Sequence, residues 1–172
     1  MCWCISGWEE FVTNRIQSWG RRVAVWIATG FGLGFSPFAP GTVGTLLGIV
    51  IVYFTNSALR VPEQIITAAL LAVVAIPVCD IAEKRFAQKD PHCVVADEYL
   101  TFPICMIGLP LRPWLLVFAF LSNRALDIVK PPPARQLQIL PGGWGIVVDD
   151  VISSLYSLAV NHLVYWVVVR FF

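Results

Sequence analysis

Charged residues are scarce in this chain. They make up 13% of its 172 residues, whereas apolar residues make up 58% and the mean hydropathy is +0.74. An ordinary soluble domain carries roughly twice that share of charge, so the composition disfavours a soluble surface and excludes a disordered chain. We expect a membrane-embedded protein.

An excess of positive charge is also absent. Twelve Lys and Arg residues against eleven Asp and Glu residues leave a net charge of +1. No broad basic surface is therefore available to hold nucleic acid through its phosphates. We predict no nucleic acid partner, and the sequence indicates no obligatory protein partner.

Several motifs of soluble and exported proteins are missing. The five cysteines lack the paired C-x-x-C spacing of a zinc site, and we interpret them as free thiols in a reducing compartment. The chain has no G-x-S-x-G turn and no evident histidine nucleophile. Its start, MCWCISGWEE, lacks the basic region of a secretory signal, which predicts a protein that is not exported.

Apolar stretches dominate the chain instead. Residues 5–19 show the spacing of an amphipathic helix that lies on a bilayer. This predicts an N-terminal segment at 1–22 and a single domain at 23–172, folded as an all-α, compact bundle of membrane-embedded helices. Only the last of five apolar stretches approaches the ~20 residues that span a bilayer. The stretches are 23–35, 43–58, 65–79, 99–121, interrupted by Pro110 and Pro113, and 151–169.

The basic residues predict an orientation. We predict that 23–35 ends at the membrane edge as a half-helix and turns into a loop. If Arg21 and Arg22 lie in the cytoplasm, the successive crossings 43–58, 65–79, 99–109, 113–121 and 151–169 then place loops 36–45, 80–98 and 122–150 there too. We therefore expect a protein of the inner (cytoplasmic) membrane whose functional site faces the cytoplasm.

Acidic residues cluster in those loops. Eight of the eleven lie between Asp80 and Asp150, and ionised groups at membrane depth are costly unless they are paired, solvated or bound to metal. Small or polar residues continue below the acidic doublets at helical spacing, which should turn them toward the bundle interior. These residues are Asp97 and Glu98 with Thr101, Cys105 and Gly108 below, and Asp149 and Asp150 with Ser154, Ser157 and Asn161 below.

The sequence predicts that these doublets and Asp127 meet at one cytoplasmic mouth. Hard oxygen ligands from several helices suit Mg²⁺ better than zinc. The alternative for each doublet is a helix N-cap, because acidic side chains stabilise free N–H groups in a first turn.

Two further features could bind phosphate. Arg124 and Lys130 are candidates because cations beside carboxylates and metal often hold phosphoryl oxygens, although each could instead be an interfacial anchor. The Gly/Thr-rich loop SPFAPGTVGTL at 36–46 could cradle an anion with free N–H and hydroxyl groups. Glycine before a membrane helix is also a common packing device.

With these residues assembled, the chain resembles the phosphatidylglycerophosphatase A family. The resemblance rests on SPFAPGTVGTL (36–46), KDPHCVVADE (89–98), RALDIVKPPPAR (124–135) and GGWGIVVDD (142–150), in the family's order. It implies a Mg²⁺-dependent membrane phosphatase that removes the terminal phosphate of phosphatidylglycerol phosphate to give phosphatidylglycerol, in phospholipid biosynthesis. The chain departs from the family pattern at Asn123, Thr101 and Ser153–Ser154, which concerns helix contacts and substrate fit.

The resemblance implies specific roles for the matched positions. The catalytic candidates are Asp97, Glu98, Asp127, Asp149 and Asp150, with Glu98 as general base or as a residue that orients others. The Mg²⁺ ligands would be Asp97, Asp127, Asp149 and Asp150. The residues that would bind the anionic phospholipid substrate are Arg124, Lys130, Thr42, Gly44 and Asp90, and the Gly/Thr-rich loop adds Thr45.

Two other functions stay open at this point. One is a lipid enzyme similar to the CDP-alcohol phosphotransferases, although their DGxxAR and spaced GxxxD motifs are missing. The other is a non-enzymatic cation carrier or channel that uses the same carboxylates, although these acids lie at the starts of apolar stretches and in loops.

Overall fold

The computed structural model describes residues 19–171, and every regular element within that range is a helix. The all-α prediction is confirmed. Two short 3-10 helices, at Leu33–Phe35 and Phe102–Met106, connect longer α-helices. The α-helices are α1 (residues 19–28), α2 (Pro40–Ala58), α3 (Val61–Phe86), α4 (Ala96–Thr101), α5 (Pro113–Val129), α6 (Ala134–Leu137) and α7 (Gly143–Phe171).

Helix α1 crosses the predicted boundary between the N-terminal segment 1–22 and the domain 23–172. Nearly all of the amphipathic helix predicted at 5–19 lies outside the described residues. The division into these two parts therefore stays a prediction.

Three helices, α2, α3 and α7, are long and apolar enough to cross a membrane. Their outer faces expose large apolar side chains, such as Phe54, Leu70 and Trp166, each at least 60% exposed. An apolar surface of this extent is unfavourable in water and matches lipid. The described helices thus indicate a membrane protein.

The apolar stretch 99–121 differs from a pair of lipid-facing helices. Helix α4 ends at Thr101, the 3-10 helix follows, and Gly108 has a φ of +73°, which no helix continues through. Phe102 and Met106 are fully buried, so residues 102–106 are apolar because they form the centre of the bundle. The larger rise per residue of a 3-10 helix lets this short segment cover more distance.

Residues 98–109 nevertheless run from one end of the bundle to the other. Glu98 contacts Thr45 near the start of α2, whereas Asn56 near the end of α2 donates to the carbonyl oxygens of Met106 and Leu109. The order of membrane crossings stays a prediction, because only α2, α3 and α7 are long and apolar enough to be candidate spans among the described helices. The connections that precede α2, α4 and α7 all lie at one end of the bundle, which we call the site end.

Helix α7 turns its polar stripe inward, as the sequence predicts. Ser154, Ser157 and Asn161 are completely buried. The Asn161 amide donates to the Cys105 carbonyl oxygen at 2.9 Å and accepts from the Ser122 hydroxyl at 2.9 Å. Such interhelical hydrogen bonds stabilise helix packing where no water competes.

Candidate active site

The doublet on α7 is not a helix cap. Helix α7 begins at Gly143, so Asp149 and Asp150 lie in its second turn, beyond the unpaired N–H groups of a helix start. Asp97 and Glu98 do lie in the first turn of α4, but the N-cap residue is Val95 and makes no side-chain cap. The capping interpretation therefore fails for α7, and the contacts of the α4 doublet need another reason.

Glu98 joins three helices. Its Oε2 atom lies 2.7 Å from Nη1 of Arg124 on α5 and 3.0 Å from the hydroxyl of Thr45 on α2. On the α2 side the carboxylate rests directly against Gly41, where a Cβ atom would overlap it. The glycine thus permits the close approach of α4 to α2 at this carboxylate.

Arg124 and Lys130 both lie within the acidic cluster. Arg124 Nη1 is 2.9 Å from Asp127 Oδ2, and Lys130 Nζ is 2.5 Å from Asp149 Oδ2. Lys130 caps α5 in a left-handed conformation, with a φ of +47°. That conformation is rare for a residue with a side chain and costs about 1–3 kcal/mol, so the surrounding contacts must hold it.

The contacts of Lys130 with carboxylates, more than its burial, set its protonation state. Burial alone lowers the pKa of the Lys130 ammonium, but its hydrogen bond and its attraction to Asp149 outweigh burial, and the pKa is raised. Lys130 therefore stays a cation at the site.

Asp97 and Asp150 are both buried, with exposed fractions of 7% and 6%. Burial raises the pKa of the Asp97 carboxyl well above its usual range, and the negative charges of Glu98, Asp90 and Asp127 act in the same direction. Positive charge placed here would relieve that repulsion.

The donor set fits a divalent cation. Five carboxylates (97, 98, 127, 149 and 150) face two cations, and buried oxygens of Asp97, Asp149 and Asp150 have no hydrogen-bond partner among the described residues. Unpartnered anionic oxygens at this depth are costly, and hard oxygen donors suit Mg²⁺. Within residues 19–171 no three such side chains converge on one point, so the donors are present without a formed coordination shell.

The glycine-rich loop predicted at 36–45 is a loop only at 36–39. Helix α2 already begins at Pro40, because proline is favoured at a first helical position. Gly44 therefore lies inside the helix, where a Cβ atom would strike Val95, so this glycine serves helix packing. Thr45 reaches the site through Glu98, whereas Thr42 is half-buried at the first turn.

Asp90 lies at the mouth of the site. It is exposed, with a φ of +48°, in the connection between α3 and α4. A hollow of about 330 Å³ is lined by Lys89, Asp90, Gln138 and the start of α7. Asp90 is thus near the cluster without joining its ion pairs in the described residues.

The structure adds a residue that the sequence does not indicate. The Gln138 amide donates to Asp149 Oδ2 at 2.9 Å, beside Lys130. A neutral amide in a connecting segment follows no pattern that sequence reasoning could detect. Three more polar residues, Asn123, Ser153 and Ser154, are buried with oxygens that lack partners among the described residues.

Comparison with known proteins assigns the family. The sequence model of phosphatidylglycerophosphatase A matches residues 26–165, which include every residue of the cluster. The chain belongs to the phosphatidylglycerophosphatase A family. As a member of a phosphatase family, it is an enzyme, and the resemblance inferred from the four motifs is confirmed.

Three curated relatives agree over most of their lengths. A candidate phosphatidylinositol-3-phosphatase of Bacteroides thetaiotaomicron is 36% identical over 84% of this chain and 94% of its own length. The phosphatidylglycerophosphatase A of Escherichia coli is 32% identical over 80% and 81%, and that of Haemophilus influenzae is 32% identical over 81% and 88%. No solved structure matches the chain significantly.

These matches decide among the functions left open by the sequence. All three relatives carry names of lipid phosphatases. Neither a CDP-alcohol phosphotransferase nor a cation carrier is among them, so the phosphatase family stands and both alternatives lack support.

Proposed function

We propose that the chain hydrolyses the terminal phosphate monoester of phosphatidylglycerol phosphate, giving phosphatidylglycerol and inorganic phosphate. The observation that carries this proposal is Arg124 and Lys130 held inside a five-carboxylate cluster at one end of an apolar bundle. Cations and acids together at a membrane surface suit an anionic head group whose acyl chains remain in the bilayer.

The acidic cluster would hold Mg²⁺ through Asp97, Asp127, Asp149 and Asp150. The unpartnered oxygens of Asp97, Asp149 and Asp150, and the repulsion of Asp97 by Asp127 and other carboxylates, support this assignment. A bound Mg²⁺ would neutralise charge on the phosphate and activate a water molecule.

Arg124 and Lys130 bind the phosphoryl oxygens in this proposal. Arg124 Nε is buried without an acceptor among the described residues, so one donor of the guanidinium is available while Nη1 holds Glu98 and Asp127. Lys130 adds a second positive charge from the end of α5. Positioned cations stabilise the charge on a transferring phosphoryl group.

Glu98 acts by holding Arg124. Of the two roles the sequence left open, general base or orienting residue, its contacts with Arg124 and Thr45 support the second. Burial raises the pKa of the Glu98 carboxyl, and the Arg124 pair and the Thr45 hydrogen bond offset that rise only in part, so the orienting role rests on these contacts.

The site faces the cytoplasm of the inner membrane in this proposal. The site end carries Lys84, Arg85, Lys89 and Arg135 in addition to the site cations, whereas the opposite end carries Arg60, Arg112 and Arg170. The excess of basic residues at the site end favours its cytoplasmic placement.

The test is phosphate release by the purified full-length protein in detergent micelles. We expect release from phosphatidylglycerol phosphate with Mg²⁺, loss on chelation with EDTA and recovery on adding Mg²⁺ back. Asp149→Asn is the negative control. Full turnover in EDTA would refute the metal assignment, and no release from this lipid under any condition would refute the substrate.

A second substrate belongs in the same assay. The Bacteroides relative is named for phosphatidylinositol 3-phosphate and shares 36% identity with the chain. Phosphatidylinositol 3-phosphate and phosphatidylglycerol phosphate should be compared at equal concentration. A larger kcat/KM for the inositol lipid would move the assignment to that substrate and keep the reaction class.

A further inference from the structure

A basic groove lies outside the carboxylate cluster, between α1 and the last turns of α3. Two adjoining hollows of about 570 and 400 Å³ share Arg21 and Arg85 as lining residues. Arg22 and Trp26 complete the first hollow, and Lys84 and Asp80 line the second. The groove shares no residue with the proposed active site.

Positive charge in this groove is largely uncompensated by the described residues. Lys84 pairs with Asp80 at 2.6 Å, whereas Arg21, Arg22 and Arg85 form no salt bridge within residues 19–171. All four cations are exposed. Like charges brought together by two separate helices repel each other, so an anion bound between them would stabilise the arrangement.

The position of the groove favours a lipid as the source of that anion. Trp26 is 66% exposed beside the arginines, and an amphipathic indole is typical of the depth of lipid head groups. On the same helix Val23 is 53% exposed, and the outer face of α3 continues with Val73 and Val74. The groove therefore lies where an apolar, lipid-facing surface gives way to charged residues.

We propose that this groove binds the phosphodiester head group of an anionic phospholipid from the surrounding leaflet. Arg21 and Arg85 hold the phosphate oxygens, because a guanidinium can meet two of them at once. The indole of Trp26 lies against the glycerol and upper acyl region. This site is separate from the one at which the monoester is hydrolysed.

Titration calorimetry on the delipidated full-length protein in detergent tests this site. The probes are short-chain phosphatidylglycerol, phosphatidylcholine with the same acyl chains, and inorganic phosphate. We expect phosphatidylglycerol to bind at least about tenfold more tightly than phosphatidylcholine. The double variant Arg21→Gln/Arg85→Gln should lose about tenfold or more of that affinity, as expected for charge-assisted hydrogen bonds.

Matched variants identify where the lipid binds. Arg112→Gln/Arg170→Gln removes two exposed cations at the opposite end and should leave the affinity unchanged, as should Arg124→Gln at the proposed active site. An equal loss of lipid affinity in the Arg112→Gln/Arg170→Gln variant would show that binding depends only on the overall charge of the protein. A loss of affinity in Arg124→Gln would place the lipid at the active site. Either result overturns the proposal.

Two further outcomes also overturn it. Displacement of the lipid by equimolar inorganic phosphate would make the groove a site for the free anion. Unchanged lipid affinity in Arg21→Gln/Arg85→Gln would show that the two arginines do not hold the lipid. Thermal unfolding verifies that each variant is folded, and the single variant Arg85→Gln replaces the double one if that fails to fold.

Discussion

Arg124 on α5 and Glu98 on α4 form an ion pair of 2.7 Å that is shielded on both sides, with side-chain exposures of 17% and 15%. The same guanidinium nitrogen also contacts Asp127. One guanidinium nitrogen therefore links two carboxylates on different helices, and Nε stays without an acceptor among the described residues, whereas a lysine has no second nitrogen to offer a phosphoryl oxygen.

The first prediction follows from that geometry. Arg124→Lys keeps the charge but loses the fork, so kcat/KM toward the phosphorylated lipid should fall about ten- to a hundredfold, with membrane insertion unchanged. Arg112→Lys, at an exposed position on the opposite end, is the control. Full activity of Arg124→Lys would remove Arg124 from the site and leave Lys130 as the phosphate ligand.

The second prediction concerns the carboxylates. Asp97→Asn, Asp127→Asn and Asp149→Asn change little volume but remove charge, so each should lower kcat by about a hundredfold or more, while the protein still folds and inserts. Asp80→Asn is the matched control, because its partner in the ion pair, Lys84, is 75% exposed and such surface pairs are worth about 1 kcal/mol or less. Near-normal turnover in two of the three site variants would make the cluster structural.

Close packing at Gly41 supports a third prediction. Gly41→Ala places a methyl group on the Glu98 carboxylate, which should displace Glu98 from Arg124 and lower kcat/KM severalfold or more. Gly20→Ala adds a methyl group where nothing lies within 4 Å, and should leave activity unchanged. Kinetics of both variants, measured per folded protein, provide the comparison; equal activity would show that Glu98 does not position Arg124.

The fourth prediction is that Asn161 contributes to folding stability and not to catalysis. Asn161→Ala leaves the Cys105 carbonyl and the Ser122 hydroxyl short of a partner in the buried interface, which should cost about 1–3 kcal/mol of unfolding free energy. Turnover per folded molecule should change little. Leu163→Ala, on a 61% exposed side chain, should cost less; thermal unfolding in detergent measures both, and an equal cost would contradict the proposed role of the polar stripe.

The last prediction concerns orientation. Cysteines introduced at the exposed positions Gln88 and Gln136 lie at the site end, whereas those at Arg60 and Arg112 lie at the opposite end. An impermeant thiol reagent added outside intact cells should label only the second pair above the background of the parent protein. Labelling of the first pair alone would invert the proposed orientation.

Periodicity and composition were enough to predict much of the molecule. The low charge and the apolar stretches predict an all-helical bundle, and the spacing of Asp150, Ser154, Ser157 and Asn161 predicts a face that the structure buries. Such patterns are readable because a helix repeats every 3.6 residues, so residues on one face are related by position alone. The motif order also sufficed to recognise the family.

Other features depend on contacts between distant segments. No local pattern shows that Gln138 joins Lys130 at Asp149, or that the carboxylate of Glu98 requires a glycine at position 41. The apolar residues from Phe102 to Met106 look like a lipid-facing span in sequence, yet they form the buried centre. Lipid and protein interior are equally apolar, so sequence alone determined that this segment leaves water, and only tertiary packing decided that protein rather than lipid surrounds it.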